Sequence, residues 1–432
     1  MKFSANGKDI AITNEYTYLG IAFKPSGSVT KAVQELHSKA NKAWHSIRNI
    51  LYEDRKMPVS RAIQLFDSLV LPVSLYGCEV WTPFSVPKSC FESTDSMLNA
   101  WEGFQPELLN QRLCRLVLSV QKKASRLAVL GELGRFPVFF NAAIHCLKYE
   151  WHIAKQADST SLLAGSFREM QELACQSIDC WVGRMKGIRE LLGVPDLTSY
   201  TSTFAVAKKL KSVVQGSFQC FWLKQINKVR KFCAEGQDRN KLRLYKQFKG
   251  SFTMEPYLEL VRNRNQRSSL TRIRISAHHL AIETGRWARP KPTPIEDRLC
   301  RFCSSEAIDS EEHFLLQCPT FLEKRNCFFG KLGSLLPGLD KLSEKARLHT
   351  ILCPTSAVTT KLVNKYVLIM FEAREQIQNG EHISSMTFPP VIPFTSMEDN
   401  LGNLSVSDDF EGSLSTSGSE ASLVDLDFVE SV

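Results

Sequence analysis

The polar and apolar positions divide the chain into a short extended beginning and a long helical remainder. Phe3, an Asn6-Gly7 pair and DIAIT at 9–13 form a hairpin pattern with a two-residue turn. YTYLGIAF at 16–23 predicts a further extended run. Three short strands do not make a domain alone, so they read as the last piece of a larger sheet whose other strands lie upstream. From about Ser28 the period changes. Val29, Ala32, Val33, Leu36, Ala40, Ala43, Trp44, Ile47, Ile50 and Leu51 recur at helical spacing. Lys31, Lys39, Lys42, His45 and Arg48 fall mostly on the opposite side, giving a long amphipathic helix with a basic outer face. Met57-Pro58 breaks it, and Pro58 suits the first turn of the next helix, which runs through RAIQLFDSLVLP toward Tyr76-Gly77. Further helical patterns cover QRLCRLVLSVQKKASRLAVL, FFNAAIHCLKYEWHIAKQ and a span from Thr203 to about Phe232. RNKLRLYKQFKG at 239–250 is strongly basic with aromatics between the cations.

Composition changes this picture at the C-terminus. No Lys or Arg follows Arg374, and Ser396–Val432 holds nine acidic residues. From about Gln378 the mixture of Pro, Ser, Gly and acids with few aromatics predicts disorder, with VDLDFV as a possible docking motif for a protein partner. Residues 1–395 therefore carry 54 basic against 36 acidic groups, a net +18 where the whole chain has +9. That balance suits a phosphate polyanion, since each neutralised phosphate releases counterions. LFDSLVLPVSLYGCEVW, the most apolar stretch, is interrupted by Asp67, Pro72 and Glu79 and is too short for a membrane span. MKFSANGKDI has no secretory pattern. The expectation is an intracellular protein of nucleus or cytoplasm, with no membrane role and with thirteen mostly free cysteines.

One cysteine group has ligand spacing. Cys300, Cys303, His313 and Cys318 read C-x2-C-x9-H-x4-C. A CxxC turn points two thiols inward, and Asp309 with Glu312 resembles a capping box, so a helix should start there and place His313 in its first turn. Cys318, five residues on, does not share one clean α-helical face with His313. Pro319 disfavours αR at Cys318, so the helix should end near Gln317 and leave Cys318 free to swing back. Four protein ligands predict a closed, structural zinc site, with Glu311 and Glu312 as helix N-terminal charges rather than a general base. Cys327 has poorer spacing.

The residues around this site carry a resemblance. TRIRISAHHLAIETGRWARPKPTPIEDRLCRFC leads into it and EEHFLLQCPTF leaves it. The stretch resembles the C-terminal region of LINE-type, non-LTR retrotransposon reverse transcriptases. The matching residues are His278 or His279, Leu280, Ile282, Glu283, Gly285, Arg286 and Trp287, then Glu296, Arg298, Cys300 and Cys303. YLGI at 18–21, LYGCEVW at 75–81 and GELGRFP at 131–137 are similar to upstream parts of the same family, in the same order, so the likeness spans roughly residues 16–375.

The resemblance implies a mainly α fold. It has a β remnant of a palm sheet at 1–25, a helical thumb-like region at 26–135 and a basic helical region at 136–290. A CCHC zinc module with closing helices follows at 291–375, and a disordered acidic tail at 376–432. A reverse transcriptase palm needs an aromatic-x-Asp-Asp strand turn, and none occurs; the only Asp-Asp pair is Asp408-Asp409 in the tail. The only Pro-Asp, Pro195-Asp196, lies upstream of the CCHC element, which does not support the nuclease that some relatives carry after it. The expectation is a truncated, non-catalytic product with RNA or DNA as partner. A protein-interaction scaffold, or an incomplete gene model of an active RNA-directed DNA polymerase, are the other readings.

Arg272, Arg274, Arg286 and Trp287 are the first candidates for nucleic-acid contact, with Lys39 and Lys42 on the long helix. Alternation in RIRIS suggests a strand-like segment with one basic face. Trp287 suits either base stacking or a core position that pins the zinc module. Lys39, Lys42 and Arg48 equally suit a plain solvated face, and His278 and His279 suit structural roles. Tyr76, Cys78, Glu79 and Trp81 fit packing. Cys78 or Cys146 would be a nucleophile only beside a base, and His145 and Cys146, adjacent on a helix, point apart.

Overall fold

A computed structural model describes residues 3–5, 7–156, 160–195, 202–228 and 240–380. It is mainly α-helical. The acidic tail from 381 onward lies outside the described residues, and the helix before it, Ala357–Gln378, runs to the position where disorder was expected to begin.

The first hairpin forms as its turn pair predicts. Phe3–Ala5 pairs antiparallel with Lys8–Ile10, and Gly7 takes φ +73°. YTYLGIAF is not one extended run. It folds on itself as a second hairpin, Tyr16–Tyr18 with Ile21–Phe23, because Leu19 and Gly20 both adopt left-handed backbone in the two-residue turn. The described strands thus form two separate two-stranded sheets rather than three strands of one. Tyr76 Oη donates to Leu19 O at 3.0 Å and holds the second hairpin to the helical body.

Helix Thr30–Glu53 buries Ala32, Val33, Leu36, Ala40, Trp44, Ile47 and Leu51 and exposes Lys39, Lys42, His45 and Arg48, as the period requires. Pro58 sits just ahead of helix Val59–Leu69, not inside its first turn. Helix Thr203–Ile226 buries every fourth residue from Val206 to Ile226 and leaves Lys208, Lys209 and Lys211 in water. Trp81 and Cys78 are fully buried, as packing predicts, while Glu79 is half-buried and Tyr76 is half exposed.

The segment Gly131–Pro137 joins distant helices. A Cβ on Gly131 would lie 2.5 Å from the Trp222 ring, and Gly134 ends helix Arg126–Leu133 in left-handed backbone. Arg135 forms a forked pair with Asp67 at 2.6 and 3.1 Å. Glu132, wholly buried, accepts from Arg274 at 3.0–3.2 Å and from Tyr257 Oη at 2.7 Å. Arg274 also reaches Glu255 at 2.6 Å and lies over the Phe248 ring at 4.5 Å. Lys249, in the basic 239–250 stretch, is buried and pairs with the same Glu255.

RIRIS is therefore not a strand. It completes the helix Arg264–Arg274, which packs along Ala357–Gln378. Arg264 donates to Leu51 O and Leu116 O, the last carbonyls of two other helices, at 3.2 and 2.6 Å. Arg267 donates to Val261 O and Met57 O. In this stretch the guanidinium groups fasten helix ends together.

Candidate metal centre

The site is built on a hairpin-like knuckle and one unusual helical turn. Cys300 N donates to Ala307 O at 2.8 Å and Asp309 N to Arg298 O at 2.9 Å, closing residues 298–309 into a loop that carries both CxxC thiols. Ser310, not Asp309, caps the next turn: its Oγ accepts from His313 N at 3.1 Å. His313–Gln317 is a π-helix, and Cys318 N donates to His313 O, five residues back, at 2.7 Å. The π turn is what brings residues five apart onto one face. Cys318 itself has left helical backbone, with ψ 119°, as Pro319 predicts.

The four donor atoms all lie within 4.8 Å of one another. Cys300 Sγ is 4.0 Å from Cys318 Sγ, and Cys303 Sγ is 3.4 Å from His313 Nε2. A tetrahedral zinc with sulfur ligands at about 2.3 Å has ligand–ligand edges of about 3.8 Å. The separations and the Cys3His chemistry fit a closed metal site. Burial keeps the His313 imidazole below its ordinary pKa, which favours the neutral form that a metal would need. Burial also pushes the Cys300 thiol up to about 12 and raises Cys318. Burial opposes the charge at Cys303 too, but hydrogen bonds from Ser305, Cys300 and Cys318 outweigh it and hold that thiol below its usual range. Cys327 is exposed and outside the group.

A ring of ion pairs fixes the clasp to the helical body. Asp309 forms a forked pair with Arg374 at 2.6 and 3.1 Å and accepts from Ala281 N at 2.7 Å. Arg374 in turn stacks on Phe302 at 4.2 Å. Glu311 is buried and is not a solvated helix charge: it accepts from Arg243 at 2.7 Å and contacts His278 Nε2 at 3.0 Å. Burial works against its charge, but the His278 hydrogen bond and the Arg243 guanidinium hold its carboxyl down to about 2. Arg325 donates to Cys318 O at 2.9 Å. The spacing points to Asp309 as a helix cap and to Glu311 as a helix N-terminal charge, and it points to neither of their ion pairs, nor to Arg325 and Arg374. EE before His313 is the only local signal, and their partners lie far off in sequence.

The expected contact residues separate sharply. Arg274 is only 1 % exposed and committed to Glu132 and Glu255, so it cannot meet a phosphate. Arg272 is half-buried and donates to Ser119 O at 3.2 Å, yet it lines a cleft of about 630 Å³ with His279, Arg301 and Arg374. Arg286 lies 2.9 Å from Glu283. Trp287 is 60 % exposed, which overturns the core reading. Arg289 and Lys291, two and four residues on, and Arg301 in the clasp loop are exposed as well. Lys39 and Lys42 stand in solvent on the Thr30–Glu53 helix, apart from this group in the chain.

Comparison of the chain with protein-family models, with curated proteins and with solved structures finds no match. Among the described residues, no single helix is long and apolar enough to cross a membrane.

Proposed function

We propose that this protein is a non-catalytic derivative of a non-LTR retrotransposon reverse transcriptase, with a structural zinc and affinity for RNA or DNA. The observation that carries the reading is the pairing of a closed Cys3His donor set with an exposed indole only thirteen residues ahead of Cys300. A Trp in water is a stacking platform for an unpaired base, and the exposed Arg289 and Lys291 near it in the chain, with Arg301 in the clasp loop, supply phosphate partners. The zinc fixes the knuckle and leaves no open coordination position, so it shapes a surface and does no chemistry. In solution this predicts binding to single-stranded oligonucleotide that weakens with salt. A log K against log salt slope of about −0.7 per phosphate engaged is expected, and a slope near zero would remove nucleic acid from the proposal.

A second reading, a protein-interaction scaffold, is favoured by one region. The second hairpin exposes Tyr16, Tyr18, Leu19 and Phe23, an apolar surface of the kind that marks protein contacts. The same salt titration separates the two, since apolar docking carries little salt dependence.

A further inference from the structure

A second group of metal donors lies far from the clasp in sequence and serves nothing described above. Cys78 and Glu79 open the short helix Cys78–Trp81, which packs on helix Val138–Gln156, the bearer of His145. Cys78 Sγ, a Glu79 carboxylate oxygen and a His145 ring nitrogen all lie within 4.8 Å of one another. His145 Nδ1 is 3.5 Å from Glu79 Oε1.

The backbone under these donors is fixed. Gly77 turns the chain in left-handed conformation just before Cys78. Cys146 Sγ contacts Cys78 O at 3.4 Å, Trp181 Nε1 donates to Glu79 O at 2.9 Å, and Trp81 Nε1 donates to Tyr76 O at 2.9 Å. Cys146 and Trp181 thus hold the turn against two neighbouring helices and Trp81 braces it from within, which is the rigid support a ligand set needs.

We propose that Cys78, Glu79 and His145 form a second metal site, for a borderline divalent transition ion of the zinc class. One sulfur, one oxygen and one nitrogen donor select such an ion over calcium or magnesium, which take oxygen shells. The donors grade from inside to outside. The Cys78 thiol is wholly buried, the Glu79 side chain is 32 % exposed and the His145 side chain 52 % exposed. An entering ion meets carboxylate and imidazole first and takes the thiol as its floor, with the Cys78 proton released to solvent. Three protein donors leave a fourth position for water, unlike the closed clasp. The His145–Glu79 separation of 3.5 Å already matches a tetrahedral edge, and the other donor separations are at most 4.8 Å.

The test is the number of cobalt(II) ions bound by the full chain, with metal in excess, against the His145→Ala variant. One ion fewer in the variant is expected, and the difference spectrum should show charge-transfer absorption from a single thiolate. Glu79→Gln should weaken the same ion without changing the helical content seen by circular dichroism. A clasp without metal would lower both chains equally, so the difference of one ion reports this site alone. Equal metal content in the full chain and His145→Ala would overturn it.

Discussion

The clasp at 298–318 and the Gly131–Pro137 segment are both short and both turn on buried polar groups, and they are held by different means. In the clasp the polar atoms are thiols and an imidazole that face one another across a gap the size of a metal ion. In the body segment the polar atoms are opposite charges already in contact, Glu132 with Arg274 and Arg135 with Asp67. The first arrangement could hold a metal ion, and the second is complete in itself. The contrast also sorts the cations. Around the body segment Arg135, Lys249 and Arg274 are used internally, whereas beside the clasp Arg289, Lys291 and Arg301 face water. A count of basic residues includes both kinds alike, so it overstates the cations open to a polyanion, whereas the net charge already subtracts the paired acids.

The strongest way to break the comparison is at Arg274. Arg274→Ala leaves the wholly buried Glu132 without its cation and removes one of the two cations at the half-buried Glu255, which keeps Lys249. It should cost about 3–5 kcal/mol in urea unfolding. A loss below 1 kcal/mol would mean that the pair is not the fastening described.

Glu107 sharpens the same point from the other side, because it is buried without a direct ion pair. It accepts from Val138 N at 2.7 Å, just beyond Pro137, and burial pushes its pKa up to about 7. Between its ordinary value of 4.5 and about 7 the folded state holds the extra proton, so stability should fall as pH rises through that window. Glu107→Gln should flatten that slope and raise stability at pH 8 by roughly 3 kcal/mol. An unchanged pH profile would contradict the burial cost.

The clasp side carries the smaller effects on folding. Trp287→Ala should change stability by less than about 0.5 kcal/mol, since the indole is mostly in water. It should weaken single-strand binding by about 1–3 kcal/mol. Lys39→Ala with Lys42→Ala should leave folding unchanged, weaken binding modestly for every sequence and make the salt slope shallower. A large loss of stability at Trp287 would return that residue to a packing role.

The helices were legible because an amphipathic period survives any tertiary context that buries one face, as Ala32 to Leu51 shows. The donor set was legible because CxxC and a Pro stop are local features. What was not legible depended on contacts between distant residues. The π turn cannot be read from HFLLQ, since nothing in those five residues prefers five-residue over four-residue hydrogen bonding. Arg274 looked like a surface cation because its acidic partners stand 142 and 19 positions away. YTYLGIAF hid its turn because Leu19 occupies a left-handed position that propensity gives to Gly or Asn. Asp309 looked like a cap because the Arg374 that claims it lies 65 residues on.

The most direct measurement is the zinc content of the purified full chain beside that of Cys303→Ser, with amide hydrogen exchange on both. The clasp requires one zinc fewer in the variant and a loss of protection confined to residues 298–318, while the helical body keeps its own. Equal zinc in the two proteins, or a variant whose 298–318 segment stays protected, would contradict a metal-held clasp.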